Sequence, residues 1–193
     1  MDLGLKDKLY IISGSSRGIG KGIAAVLLKE QAKVVLCGRH AESLNDTFET
    51  FNQAYPGQVY QACGDVSEVQ TLAKIDALLE AENLEVNGVV ANAGAVKPVP
   101  DIAISATDWQ WYFQANLFVA ETLVNHFTDK LKQTQGCITF INSIAGLEEI
   151  GAPMPYSASK AALNSYAKGL SKRMAQFKVR VNTVSPGNVL FEG

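Results

Sequence analysis

Residues 8–20 read Lys8-Leu9-Tyr10-Ile11-Ile12-Ser13-Gly14-Ser15-Ser16-Arg17-Gly18-Ile19-Gly20. A short apolar run enters a glycine-rich turn, and a helix follows. Glycines at such a junction let the backbone turn tightly and approach a pyrophosphate, which the N–H groups of the helix N-terminus then hold. The spacing is GxxxGxG rather than GxGxxG, and a plain structural turn is the competing reading. A P-loop is excluded, because Lys21 is followed by Gly22 and not by Ser or Thr. Gly14-Ser15-Ser16-Arg17-Gly18 also matches the GxSxG nucleophile elbow, with Ser16 as nucleophile. A serine hydrolase further needs an acid and then a histidine. His40 follows too soon for that order, and His126 lies deep in a predicted helix. This remains a remote alternative.

The pattern repeats outward from this junction. Short β-branched runs open at Lys33, Gln58, Asn87, Gly136 and Lys178. Several are apolar on consecutive positions, as expected of parallel strands covered on both faces. Stretches of helical period separate them; Leu163, Tyr166, Leu170, Met174 and Phe177 form one apolar stripe. Ser67 with Gln70, and Thr107 with Gln110, read as capping boxes opening two helices. The alternation predicts an α/β fold: a doubly wound parallel sheet of at least six strands in three layers. Right-handed crossovers place every strand's C-terminal end on one edge, where ligands bind. The informative residues therefore follow the strands.

The second predicted strand ends Cys37-Gly38-Arg39. An NAD site carries Asp or Glu about 20 residues past the glycines, on the ribose 2′-hydroxyl. Here that place holds Gly38. Arg39 suits a 2′-phosphate, and Arg17 supplies a second cation. Unless both arginines are merely solvated, the pair favours NADP(H) over NAD(H). Asp65, after the third strand, reads as an acceptor for an adenine amino group or as an ordinary turn residue. Asn92-Ala93-Gly94, after the fourth, permits close backbone approach to a ligand or is again a turn. Asn116 interrupts the apolar stripe of a helix predicted from about Asp108, running through Trp109, Phe113, Ala120, Leu123 and Phe127. A buried amide there needs partners: either neighbouring backbone, or a water or side chain near the sheet edge. The fifth strand ends at Ser143, and Tyr156 and Lys160 follow at i and i+4 on one helix face. A cation on that face favours the phenolate, the condition for proton transfer near neutral pH.

Composition sets the bounds. The chain has 193 residues, 47% hydrophobic and 19% charged, which suits one folded domain over 1–193 rather than a disordered chain. A net charge of -2 gives no basic excess for nucleic acid or a membrane surface. No apolar run reaches the roughly 18 residues of a membrane span. Cys37, Cys63 and Cys137 are odd in number and far apart, so neither a disulfide framework nor a CxxC metal site is expected. These features predict a cytoplasmic protein with no metal.

Taken together, SGSSRGIG, Asp65-Val66, ANAG, the helix asparagine, SIAG, YSASK and NTVSPG resemble, in order, the motifs of the short-chain dehydrogenases/reductases. The resemblance runs from about Lys8 to Gly187. It implies a Rossmann-type fold, strand order 3-2-1-4-5-6, and hydride transfer between a nicotinamide cofactor and a carbonyl or alcohol. It assigns Tyr156 as the acid/base, with Lys160 as its partner and a ligand of the nicotinamide ribose. Ser143 would bond the substrate oxygen, and Asn116 would hold the water of a proton relay. Gly14, Ser16, Arg17, Gly18, Ile19 and Gly20 would line the phosphates and adenosine, with Arg39 at the 2′-phosphate. Asp65 and Val66 would meet adenine; Asn92, Ala93 and Gly94 the adenosine ribose; Pro186, Gly187 and Val189 the nicotinamide. The family often places a Thr where this chain has Phe191, and usually continues for several tens of residues past the position of Gly193. A C-terminally shortened chain would leave an edge strand and a half-covered site. The resemblance thus implies weak NADP(H) binding, poor turnover and homo-oligomerisation. The alternative is a catalytically weak nucleotide-binding or interaction module.

Overall fold

The computed structural model describes residues 3–190; the expectation attached to Phe191 lies outside them. Six strands form one sheet: β1 (Leu9–Ser13), β2 (Lys33–Gly38), β3 (Val59–Cys63), β4 (Val86–Ala91), β5 (Cys137–Ile141) and β6 (Arg180–Val184). Each lies within a residue or two of a run read from the sequence. All pairings are parallel, and the order is β3-β2-β1-β4-β5-β6. The order reverses between β1 and β4, the switch point at which doubly wound sheets bind ligands.

Helices α1 (Gly18–Lys29), α2 (Ala41–Ala54), α3 (Val69–Ala81), α4 (Ala106–Phe113), α5 (Val119–Thr134) and α6 (Met154–Met174) connect the strands. Strand side chains alternate between faces. Tyr10, Ile12, Val34 and Leu36 pack with Ala24 and Leu28 of α1 and with Leu44 and Phe51 of α2. Leu9, Ile11, Val35 and Val89 pack with α3, α5 and α6 through Ile75, Phe127 and Leu163. The Rossmann-type sandwich is therefore the fold.

Three local expectations are corrected. Neither capping box forms. The Ser67 hydroxyl and amide both donate to Asp65 Oδ1, at 2.7 and 2.9 Å, and α3 begins only at Val69. The other helix starts at Ala106, two residues before Asp108, and Ser105 accepts from the Asp108 amide. That helix is also not continuous: Gln114–Phe118 is a π-helical turn between α4 and α5.

Candidate cofactor cleft and acid–base site

The first connection is built around missing side chains. Gly14 and Gly18 have φ of +63° and +58°, values that Cβ-bearing residues avoid. A Cβ on Gly20 would lie 2.4 Å from the Gly14 carbonyl oxygen and 2.6 Å from Asn92 Nδ2, so only glycine lets α1 settle onto the turn. The N-terminus of α1 is left open: Arg17 gives no side-chain cap and no acidic residue occupies the first turn. The N–H groups there suit an anion.

Buried hydroxyls and an amide hold this turn to its neighbours. Ser15 Oγ donates to the Ile12 carbonyl at 2.8 Å and accepts from the Cys37 amide at 2.9 Å. Asn92 Nδ2 donates to the carbonyls of Ser13 and Gly14 at 3.0 and 2.9 Å. Ser13 Oγ accepts from the amides of Asn92 and Ala93, both at 3.0 Å. The Asn92 side chain is thus a tie across the switch point.

A cleft of about 390 Å³ runs along the strand ends. Gly14, Ser16 and Arg17 line it after β1, and Gly38, Arg39 and His40 after β2. Asp65 and Val66 line it after β3, and Asn92, Ala93 and Gly94 after β4. Gly18, Ile19 and Gly20 lie at the adjoining helix end. Trp111, Gln114 and Ala115 form the opposite wall; periodicity marked them only as helix. Arg39 Nη1 lies 3.9 Å from Asp65 Oδ2, with its side chain 65% exposed. An exposed pair of this length contributes little, and leaves the guanidinium able to turn to another anion.

The residues assigned to chemistry lie beyond the cleft lining, around the end of β5. Ser143 caps the short 3-10 turn Ile144–Gly146, its Oγ accepting from the Ala145 amide at 3.1 Å. A Cβ on Gly146 would sit 2.8 Å from the Lys160 carbonyl carbon, which shows how tightly this turn lies on α6. Asn142 Nδ2 donates to the Lys160 carbonyl at 3.1 Å, a link that nothing in the sequence pattern marked. The Ile144 amide donates to the Pro186 carbonyl at 3.0 Å, bringing Pro186 and Gly187 beside this turn. Val189 is exposed on the same segment.

Tyr156 lies in the first turn of α6, and Lys160 Nζ is 5.8 Å from the centre of its ring. Lys160 is only 3% exposed and donates to the Ile141 carbonyl at 3.1 Å. Burial pushes its pKa down to about 8. A Cβ on Gly94 would meet Lys160 Nζ at 3.4 Å and Asn116 Oδ1 at 2.9 Å, so the cleft wall touches the lysine. Asn116 is fully buried. Its Nδ2 donates to the carbonyls of Ala95 and Tyr112 at 2.9 and 3.0 Å, and its Oδ1 accepts from the Ala95 amide at 3.0 Å. Of the two readings of this amide, its bonds are to backbone.

For the hydrolase reading, His126 is engaged by Asp76 at 2.6 Å, bridging α5 and α3. His40 is exposed on the cleft rim. Among the described residues no cluster of three His, Cys, Asp or Glu is placed to hold a metal, and no helix is long and apolar enough to cross a membrane.

Comparison with known proteins agrees with this architecture. The family model for short chain dehydrogenases matches residues 8–192. The chain is 36% identical to the uncharacterized oxidoreductase YvrD of Bacillus subtilis, over all of this chain and 73% of that protein. The structure resembles L-sorbose reductase from Gluconobacter frateurii, complexed with NADPH and L-sorbose. The TM-score is 0.92 at 26% identity, over 99% of this chain and 73% of that one. It also resembles a 3-oxoacyl-[acyl-carrier protein] reductase from Brucella melitensis with bound NAD. There the TM-score is 0.87 at 25% identity, over 96% of this chain and 72% of that one.

Proposed function

The chain belongs to the short-chain dehydrogenase family, and from that premise we propose that it is an NADP(H)-dependent oxidoreductase acting on a carbonyl or secondary alcohol. The carrying observation is the placement of Tyr156 and buried Lys160 on one face of α6, against the turn that presents Ser143. The cradle fits a dinucleotide: an open helix end for the pyrophosphate, a cleft of ligand size, and two arginines at its rim with Gly38 in place of a carboxylate. The related structures hold NADPH in one case and NAD in another. The preference for NADP(H) therefore rests on Gly38, Arg17 and Arg39 of this chain.

A nicotinamide bound here supplies the hydride. The Tyr156 hydroxyl gives its proton to the substrate oxygen as that oxygen gains charge, and Ser143 Oγ donates a hydrogen bond to the same atom. The Lys160 ammonium favours the phenolate that remains and would bond the nicotinamide ribose. Asn116 would hold the water of a proton relay reaching Lys160, its side-chain amide being held by Ala95 and Tyr112. Pro186, Gly187 and Val189 would flank the nicotinamide, and Asp65 and Val66 would meet the adenine. Residues 1–193 form one dinucleotide-binding and catalytic domain, cytoplasmic and homo-oligomeric.

A second reading draws on one observation. The cleft is lined by residues assigned to the adenosine half, and not by Ser143, Tyr156 or Lys160. On that reading the chain binds the nucleotide and turns over little. Tyr156→Phe separates the two. Removing the phenol proton while keeping the ring lowers turnover about 10²–10⁴-fold, with NADPH affinity unchanged by titration. Turnover that survives Tyr156→Phe contradicts the assignment of Tyr156 as the acid/base. NADPH binding without turnover in the unsubstituted protein supports the module.

A further inference from the structure

Tyr112 is fully buried one turn before Asn116, and its three sets of contacts point to three parts of the site. Its hydroxyl donates to the Lys97 carbonyl at 2.5 Å and accepts from the Lys97 amide at 3.2 Å. Its own carbonyl accepts from Asn116 Nδ2. Its ring meets the Tyr156 ring edge-on, with centroids 6.3 Å apart and planes at 64°. That separation and tilt belong to the favourable range for aromatic pairs.

The segment Ala93–Lys97 is a strap between β4 and α4, and Ala93, Gly94 and Ala95 line the cofactor cleft. Asn116 grips both backbone groups of Ala95, and Tyr112 grips both backbone groups of Lys97. The Lys97 side chain closes the arrangement, with Nζ 2.8 Å from Asp108 Oδ1 and 4.8 Å from the centre of the Trp111 ring. A buried phenol that satisfies its oxygen on the strap has no freedom to rotate, and its ring edge then limits where Tyr156 can sit. We propose that Tyr112 is a positioning residue that fixes the Tyr156 ring relative to the strap, so that the cofactor wall and the acid/base are held as one body. This rests on the functional reading above for its consequence in turnover, and on the contacts alone for its structural content.

Two substitutions separate the hydroxyl from the ring. Tyr112→Phe keeps the ring and removes the tether. Exchange of the Lys97 amide should accelerate about tenfold, and NADPH should bind roughly three- to tenfold more weakly, as loss of a buried hydrogen bond implies. Its kcat should fall less than about threefold, since the edge contact remains. Tyr112→Leu removes the edge contact as well. The Tyr156 side-chain resonance in a ¹³C-tyrosine spectrum should shift or broaden, and kcat should drop by about tenfold or more, as expected of a displaced acid/base. If Tyr112→Leu does not fold, Tyr112→Met takes its place in the same measurements. An unshifted Tyr156 resonance with unchanged kcat in the Leu or Met protein, or an unaltered Lys97 amide in Tyr112→Phe, overturns the proposal. Absence of turnover in the unsubstituted protein, or turnover that survives Tyr156→Phe, counts against the functional reading alone, because exchange and resonance still decide the role of Tyr112.

Discussion

Lys160 carries opposing demands on one atom. On the proposed mechanism its ammonium is needed beside Tyr156, yet its burial disfavours the charge and brings its pKa to about 8. Lysine in an unfolded chain titrates near ~10.4. Between these values the unfolded chain holds a proton that the folded one has released, so stability rises with pH across that window. Below about 8 the folded state carries the full cost of the buried charge. Lys160→Met should therefore stabilise the protein at pH 7, by up to about 3 kcal/mol, while abolishing turnover. It should also flatten the rise in stability between about pH 8 and 10. Urea unfolding of both proteins at pH 7 and 10 tests this; a Lys160→Met protein that is less stable at pH 7 refutes it. On the same proposal, cofactor choice rests on single residues. Arg39→Ala should cost NADPH roughly 10- to 100-fold in affinity, the worth of a charge-assisted bond. Gly38→Asp should reverse the preference towards NADH. Its Cβ would meet Ser16 Oγ at 3.3 Å and Ser16 Cβ at 3.4 Å, a tight contact to which the Ser16 side chain must yield. Equal affinities for the two cofactors in the unsubstituted protein would defeat this reading.

At the scale of elements, the 3-10 turn carrying Ser143 and the helix carrying Lys160 are held in contact by the absence of one methyl group. Gly146→Ala would place a Cβ 2.8 Å from the Lys160 carbonyl carbon and 2.9 Å from the Ala161 nitrogen. Backbone cannot swing aside as a side chain does, so the turn must lift from α6. Turnover should fall about tenfold or more through misplaced Ser143, with NADPH affinity nearly unchanged; steady-state kinetics beside a binding titration measure both. The sequence made the elements themselves plain, because parallel strands buried on both faces are written as unbroken apolar runs, as in Tyr10–Ile12 and Val34–Cys37. It misled at helix ends. Ser67 has the spacing of a cap, but Asp65 lies two residues away and takes its hydroxyl. Nor does periodicity mark the π-helical turn at Gln114–Phe118. The bonds of Asn116 there reach Ala95, 21 residues distant, and the sequence pattern singles out neither Tyr112 nor Trp111, whose contacts with Lys97 lie on the strap.

Across the whole molecule, the sheet is unevenly covered. α1 and α2 shield one face over β1–β3, while on β6 Arg180, Asn182 and Thr183 are exposed and Val184 is 50% accessible. Leu190, just beyond, is 99% exposed. An edge strand with free backbone groups and apolar neighbours is a template for pairing. Light scattering of the 193-residue chain should show association that grows with concentration, weakened by Val184→Lys with Leu190→Lys. A monomer at every concentration would contradict it. The ties at the switch point carry a different consequence. Ser13 bonds to Asn92 and Ala93, 79 and 80 residues later in the chain. The glycine-rich turn proposed to hold the phosphates, although encoded 79 residues earlier, thus lacks these particular ties until the fourth strand has docked. Such distant closures form late, after the entropy of the intervening loop has been overcome. A ribosome-bound nascent chain whose emerged portion stops short of Asn92 would present the glycine-rich segment but acquire no grip on nucleotide. That grip would arrive abruptly, once β4 clears the exit tunnel.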